Sequence, residues 1–140
     1  MTDRRVVVDA SAVLAFVLQQ GAAKTVAEVL PYAVIGAPNM TEVLYRAQER
    51  GYRNTADVLY STLLETGLEV EPFTEDDCVR AAELIAMSRS TRRNDEDPTL
   101  SLGDGLCLAL AERLNLPVTG GDLHWSTLDL KTQFFPLCMR

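Results

Sequence analysis

A run of three consecutive valines, Val6–Val8, constrains the fold more than any other feature of the sequence. Three β-branched residues in succession are typical of a strand that is buried on both faces, and such strands belong to parallel sheets covered by helices. Further strand-like runs follow at 33–37, 68–73, 116–119 and 133–137, and helical patterns separate most of them. This alternation predicts an α/β fold with a mostly parallel central sheet.

Signals for helix starts and stops divide the rest of the chain into amphipathic segments. Apolar residues at helical spacing predict helices at 12–18, 22–30, 40–50, 54–67, 74–87 and 101–115. Asn39 follows a proline and is predicted to cap the helix that begins at residue 40. Cys78, Ala82 and Ile85 define the predicted apolar face of the fifth helix. The polar stretch 88–99 predicts one long, mobile loop.

The composition restricts the class of protein. The 140 residues predict a single domain over residues 1–140. No apolar run reaches the roughly 18 residues of a membrane-spanning helix, and the apolar N-terminus lacks a small-residue cleavage site. The three cysteines are odd in number and have no CxxC spacing, and Cys78 and Cys107 fall on apolar stripes. We therefore expect buried thiols in a cytoplasmic protein. The net charge of -7 argues against nucleic-acid binding through a positive field alone.

Four acidic residues are predicted at one edge of the sheet. Asp9 ends the first strand, Glu42 and Asp104 lie in the first turns of two helices, and Asp122 follows the fourth strand. In open α/β sheets this edge is where ligands bind. Carboxylates gathered there repel one another unless a cation joins them, and an all-oxygen ligand set suits Mg²⁺ or Mn²⁺ rather than zinc.

Each acid also has an ordinary explanation. Asn39-x-x-Glu42 and Ser101-x-x-Asp104 have the spacing of capping boxes, and acids at helix N-termini are favoured by the helix dipole. Asp9 could cap the helix that it precedes, and Asp122 could be a turn residue. For any one acid taken alone the structural explanation is the more common one. Their predicted convergence at one edge favours the metal site.

Four segments around these acids carry a family resemblance: VVDASA at 7–12, NMTEV at 39–43, LSLGD at 100–104 and PVTGGDLHW at 117–125. In order and spacing they resemble the four motifs of PIN-domain ribonucleases, and among these the VapC-type toxins of bacterial toxin–antitoxin pairs. The resemblance covers nearly the whole chain. It implies a three-layer α/β/α sandwich and a metal-dependent endonuclease that hydrolyses RNA.

The resemblance also implies roles for individual residues. Asp9 and Asp104 are expected to be the most direct ligands of one or two Mg²⁺ or Mn²⁺ ions, and Glu42 and Asp122 to bind through water or to orient the nucleophile. Ser11 is expected to support the site, although capping the following helix explains it at least as well. Two groups of arginines are candidates for contacts with the RNA backbone, with solvent exposure as the more common explanation. They are Arg46, Arg50 and Arg53, and Arg89, Arg92 and Arg93.

Partners follow from the same resemblance. VapC-type proteins usually form homodimers and are inhibited by a cognate antitoxin, and the antitoxin rather than the toxin binds DNA specifically. We therefore expect an RNA substrate, an antitoxin and a homodimer, with no membrane and no sequence-specific DNA binding by this chain.

Two departures from the family pattern keep other functions open. VapC-type chains often have a hydroxyl residue where this chain has Gly120, and arginine where it has Leu123. One alternative is a non-catalytic PIN-like binding module. Another is a Mg²⁺-dependent phosphatase of haloacid dehalogenase type with Asp9 as nucleophile, although Ser11 stands where such enzymes usually have a second acid.

Overall fold

Five short strands form one parallel sheet in the computed structural model, which describes residues 3–92, 94–120 and 123–137. The strands are β1 (Val6–Val8), β2 (Ala33–Gly36), β3 (Glu69–Glu71), β4 (Val118–Gly120) and β5 (Phe134–Pro136). Their order across the sheet is β3-β2-β1-β4-β5, and every neighbouring pair is parallel. The prediction of a mostly parallel sheet is confirmed.

Helices cover both faces of this sheet. They are α1 (Ala10–Val17), α2 (Ala23–Val29), α3 (Ala37–Glu49), α4 (Ala56–Glu65), α5 (Glu75–Thr91) and α6 (Leu102–Leu114), with 3-10 turns at Leu30–Tyr32 and Leu123–Thr127. Successive strand residues point to opposite faces. Val8 and Ile35 pack among residues of α1 to α4, whereas Val7 and Val34 pack among residues of α5 and α6. The predicted three-layer α/β/α sandwich is therefore confirmed.

The connections place a reversal of strand order beside β1. The chain moves from β1 to β2 and β3 on one side, and then crosses over to β4 on the other side. The carboxyl ends of β1 and β4 are consequently neighbours, with Val8 paired to Thr119. Such a reversal opens a crevice at the carboxyl ends of the strands, where ligands of open α/β folds bind. Asp9 follows β1 at this position.

Helix α3 begins earlier than predicted. It starts at Ala37, with Gly36 in the cap position and Pro38 in the first turn. Proline suits this place because its missing N–H is not needed in a first helical turn. Asn39 is therefore inside the helix, and its assignment as a cap is wrong. Glu42 lies in the second turn, not in the first turn or a capping box.

The buried face of α5 also differs from the prediction. Its buried residues are Asp77, Ala81, Leu84 and Ser88, one position away from the apolar stripe seen in the sequence. The displacement arises because Asp77, buried and paired with Arg113 at 2.8 Å, occupies a place where the pattern lacks an apolar residue. Cys78 is exposed as a result, and the prediction of a buried thiol there is wrong, whereas Cys107 is buried.

The predicted loop at 88–99 is partly helical. Helix α5 continues to Thr91, and Ser88 is buried within it. The Ser88 hydroxyl links the helix to the end of the loop that follows. That hydroxyl donates to the carbonyl of Ile85 at 2.8 Å and accepts from the backbone N–H of Leu100 at 3.0 Å. Within the part of the chain that the structure describes, no helix is both long and apolar enough to cross a membrane.

Candidate active site

Asp9 lies where β1 meets α1, and hydrogen bonds orient its side chain. Its backbone is extended, and the residue is the N-cap of α1. Oδ1 accepts from the backbone N–H of Ala12 at 2.9 Å, and Oδ2 accepts from the hydroxyl of Ser11 at 2.7 Å. The side chain is thus a helix cap and also lies at the carboxyl end of the central strand, with only 6% of the residue exposed. The expectation that Asp9 caps α1 is confirmed, and its role as a metal ligand stays a prediction.

Asp104 lies in the first turn of α6. The predicted capping box is present: the backbone N–H of Asp104 donates to Ser101 Oγ, and the backbone N–H of Ser101 donates to Asp104 Oδ2, both at 3.1 Å. These bonds orient one carboxylate oxygen toward its own helix start. A carboxylate oxygen has two lone pairs, so an acid that caps a helix can also serve as a ligand.

Glu42 extends from α3 toward the start of α6. A Cβ atom built on Gly103 would lie 3.0 Å from Glu42 Oε1, so the absence of a side chain at 103 makes room for this carboxylate. The other oxygen, Oε2, pairs with Arg46 at 2.8 Å across one turn of α3. Glu42 is therefore next to the residue that precedes Asp104, and its negative charge is partly balanced from its own helix.

Asn39 connects the same two helices, a contact that the sequence analysis missed. Its Nδ2 donates to the carbonyl of Gly103 at 3.0 Å, and only 2% of the residue is exposed. Its Oδ1 is buried and has no hydrogen-bond partner among the residues that the structure describes. Since Asn39 and Glu42 are three residues apart, they share one face of α3. Recognising Pro38 as a residue of the first helical turn would have placed Asn39 inside the helix and on the same face as Glu42, but it would not have predicted the contact with Gly103.

The buried thiol of Cys107 shows that three of the predicted acids lie near one another. Burial raises the pKa of this thiol well above its ordinary value, and the negative charges of Asp9, Asp104 and Glu42 raise it further. The thiol contacts the carbonyl of Val8 at 3.7 Å, directly before Asp9. A single buried point beneath the sheet edge thus lies within electrostatic reach of all three carboxylates. The structure brings Asp9, Glu42 and Asp104 to one edge.

Gly120, one of the departures from the family pattern, is in close contact with Asp9. A Cβ atom at this position would lie 2.6 Å from Asp9 Oδ2 and 2.7 Å from its carboxyl carbon. Real atoms do not approach so closely, so a residue with a side chain at 120 would displace the Asp9 carboxylate. Glycine therefore permits the observed orientation of Asp9, in which the hydroxyl bonded to Oδ2 comes from Ser11.

The donor set at this edge is made of carboxylate and amide oxygens, which suit a hard divalent cation. In the ranges 3–92, 94–120 and 123–137, no group of three His, Cys, Asp or Glu side chains is arranged so as to hold a metal ion. Asp122, the fourth predicted ligand, lies outside the described residues. A cation here would need water or Asp122 in addition to the acids that are described, and Mg²⁺ usually keeps several of its waters.

The predicted arginine groups are separated by the fold. Arg46 and Arg50 line a cavity together with Ser11. Arg53, after the end of α3, is exposed and does not line this cavity. Arg92 pairs with Asp95 at 3.3 Å, and Arg93 lies outside the described residues.

Comparison with solved structures shows a shared fold. VapC20 of Mycobacterium tuberculosis, described as a toxin that cleaves the Sarcin-Ricin loop, is 18% identical, with a TM-score of 0.68 over 91% of this chain and 98% of that chain. A toxin–antitoxin complex from Klebsiella pneumoniae is 18% identical, with a TM-score of 0.63 over 84% of this chain and 86% of that chain. A VapBC-5 structure from Mycobacterium tuberculosis is 21% identical, with a TM-score of 0.54 over 96% of this chain and 98% of that chain. At these identities the likeness concerns the fold.

Sequence comparison identifies the family. No curated protein sequence matches the chain. A family model does match, over residues 6–127, and its description is PIN domain. The matched range contains β1 to β4 and all four predicted acids, including the edge where Asp9, Glu42 and Asp104 converge. The chain belongs to the PIN domain family.

Proposed function

We propose that this protein is a metal-dependent endoribonuclease and the toxin of a VapBC-type toxin–antitoxin pair. The observation that carries the proposal is the match to the PIN domain family over a chain whose sheet edge holds Asp9, Glu42 and Asp104, the three acids whose charges act on the buried thiol of Cys107. Such a concentration of negative charge is unfavourable unless a cation offsets it. An RNA phosphodiester is the substrate that the resemblance to PIN-domain ribonucleases implies, and divalent cations can stabilise the negative charge that develops when such a bond is hydrolysed.

Asp9 and Asp104 would hold the cation most directly, with Glu42 and Asp122 completing the site through water. When bound, Mg²⁺ or Mn²⁺ lowers the pKa of water and stabilises negative charge that develops on a phosphoryl oxygen. Ser11 keeps the Asp9 carboxylate in one orientation through its hydrogen bond of 2.7 Å. Asn39 keeps α3 against α6 through Gly103, and so holds Glu42 beside Asp104.

Arg46 has a separate role in this proposal. It balances the charge of Glu42 at 2.8 Å, and a hydrogen bond to Tyr45 followed by the charge of Glu42 raises the pKa of its guanidinium further. It therefore stays charged at every physiological pH. If Glu42 helps to hold a cation, its ion pair with Arg46 would weaken, and the Arg46 guanidinium would be available for contact with a phosphate.

The proposed regulatory partner is an antitoxin protein, and the proposed assembly is a homodimer. Support for the antitoxin comes from the Klebsiella pneumoniae and Mycobacterium tuberculosis structures, which are described as a toxin–antitoxin complex and as a member of the VapBC toxin–antitoxin family. The homodimer is proposed from the family resemblance alone. The net charge of -7 and the acidic edge favour an antitoxin segment that carries positive charge.

The test is cleavage of a structured RNA pool by the purified full-length protein in Mg²⁺ or Mn²⁺. We expect defined cuts that disappear with EDTA and with Asp9→Ala. The matched control is Asp76→Ala, which removes an exposed acid of α5 and should leave the cuts unchanged.

Cutting that persists in EDTA and in Asp9→Ala would assign the activity to a contaminant or to another site. An intact RNA pool with protein that demonstrably binds Mn²⁺ would contradict the RNA substrate and favour a non-catalytic binding module. A control with a phosphate monoester, on which we expect no turnover, addresses the phosphatase alternative.

A further inference from the structure

A small cavity adjoins the acidic edge on the side of α1 and α3. Its volume is about 140 Å³, and the residues that line it include the polar Ser11, Gln20, Arg46 and Arg50 and the apolar Leu14 and Ala15. Cavities that hold whole drug-sized molecules occupy roughly 300–1,000 Å³. This one is the size for a single small group rather than for a nucleotide cofactor.

The charge of the lining residues indicates that the cavity suits an anion. Both charged residues that line the cavity are arginines, and no acid is part of the lining. The side-chain amide of Gln20 can donate a hydrogen bond, whereas the single O–H of Ser11 is donated to Asp9 Oδ2. Arg46 shares its charge with Glu42. Arg50, the residue that caps the carboxyl end of α3, forms no ion pair with any residue in the described ranges. The cavity therefore carries net positive charge in a protein whose overall charge is -7.

The cavity is linked directly to the acids of the candidate site. Ser11 lines it and also donates to Asp9 Oδ2 at 2.7 Å. Arg46 lines it and also pairs with Glu42. An anion in this cavity would consequently lie next to the acidic edge, along a path that runs from Arg50 past Ser11 to Asp9.

We infer that this cavity binds a phosphate of the RNA chain next to the phosphate that is cleaved. The inference rests on the proposed function. Guanidinium groups match the geometry of phosphate oxygens, and a cavity with only cationic and neutral donors is complementary to that group. A bound phosphate here would position the neighbouring phosphodiester at the acids and would contribute to affinity without touching the cation.

The experiment measures binding of a fluorescein-labelled oligouridylate by anisotropy, in Mn²⁺ and over a range of salt concentrations. All proteins carry Asp9→Asn to prevent cleavage. Arg50→Gln should weaken binding roughly threefold to tenfold at low salt and should reduce the slope of log affinity against log salt by about 0.7, the value for one lost phosphate contact on a single strand. Arg50→Lys should restore the slope.

The matched control is Arg4→Gln, which makes the same change of charge at an exposed residue before β1, at the opposite end of that strand from Asp9, and should leave affinity and slope unchanged. Equal effects of Arg50→Gln and Arg4→Gln would overturn the inference while leaving the nuclease proposal intact. Absence of RNA binding by the Asp9→Asn protein, together with absence of cleavage by the unmodified chain, would overturn both. Arg50-dependent binding of oligoglutamate, with RNA binding unaffected, would assign the cavity to an acidic protein segment instead.

Discussion

Acidic residues lie in two partly buried regions of this protein, and the groups that contact their carboxylates differ between the two regions. Between α5 and α6, Asp77 pairs with Arg113 at 2.8 Å and Glu112 pairs with Arg80 at 2.6 Å. At the carboxyl edge of the sheet, Asp9 and Asp104 accept hydrogen bonds from hydroxyl and backbone groups of their own helix starts. Glu42 there takes its arginine from its own helix.

The difference indicates what each region is for. An ion pair between a carboxylate on one helix and an arginine on the other joins the two helices. Removing either partner leaves the other charge unpaired and largely out of contact with water. Carboxylates that lie together at one edge of a sheet concentrate negative charge there, which favours binding of a cation. We therefore expect changes in the first region to alter stability and changes in the second region to alter activity.

The largest effect is expected from Asp9→Asn. Asparagine keeps the shape and can still accept from Ala12, but it removes one negative charge from the acidic edge. RNA cleavage should fall roughly 100-fold or more, while the free energy of unfolding should stay the same or rise slightly because repulsion among the acids decreases. Cleavage rates and urea unfolding of the same preparation check both parts. A stability loss as large as that of an ion-pair variant would contradict the assignment of this region.

The opposite outcome is expected from Asp77→Asn. The side chain of Asp77 is 1% exposed, and that of Arg113 is 29% exposed. Water would therefore solvate the unpaired guanidinium of Arg113 only in part. We expect the free energy of unfolding to fall by roughly 2–3 kcal/mol, less than for a fully buried pair. Urea unfolding measures this loss. Cleavage per folded molecule should be unchanged, and a matching loss of activity would show that the two regions are not independent.

Two glycines sharpen the same comparison. Gly120→Ala places a Cβ atom 2.6 Å from Asp9 Oδ2, and Gly105→Ala places one 2.7 Å from Ile85 Cγ1. The first should reduce cleavage roughly tenfold with little change in stability, because the end of a side chain can move. The second should cost about 1 kcal/mol, since overpacking costs roughly 1–3 kcal/mol and alanine regains about 1 kcal/mol of helix propensity. Cleavage and thermal unfolding are measured on both variants. A loss of stability in Gly120→Ala with a loss of cleavage in Gly105→Ala would contradict the assignment of the two regions.

The smallest effect concerns the pH dependence of stability through Glu112. Burial acts to raise the pKa of this carboxyl, but hydrogen bonds from Arg80 and from the backbone of Lys131 outweigh it, and the pKa lies below its ordinary value of 4.5. A lowered folded-state pKa contributes stability above the unfolded-state value, which is lost as pH falls through the folded-state value. Glu112→Gln should therefore cost about 1 kcal/mol at neutral pH. The difference from the unmodified protein should vanish in acid. Urea unfolding at several pH values checks this, and a constant difference would exclude the charge as its origin.

The features that the sequence predicted are local ones. The β-branched run before Asp9 indicated a buried strand, and Ser101 with Asp104 indicated a capping box, because both signals lie within a few neighbouring residues. The strand alternation then implied a shared edge for the acids. This reasoning predicted the fold class and where Asp9, Glu42 and Asp104 converge. The position of Asp122 stays a prediction.

The features that the sequence did not predict depend on contacts between distant segments. Asp77 looks like a solvent-exposed acid until Arg113, far along the chain, is placed beside it, and this hid the true buried face of α5. Asn39 looks like a cap until Gly103 is beside it. The need for glycine at 120 arises only from the position of the Asp9 carboxylate. In each case the physical cause is a tertiary contact that no local pattern encodes.

The central claim is that the acidic edge binds a divalent cation, and titration calorimetry with Mn²⁺ tests it most directly. The unmodified protein should bind Mn²⁺ with saturation, and Asp104→Asn should weaken that binding at least roughly tenfold. Asp76→Asn, which removes an exposed acid on α5, should bind like the unmodified protein. Saturable binding that is equally strong in Asp104→Asn, or no binding by the unmodified chain, would contradict the account.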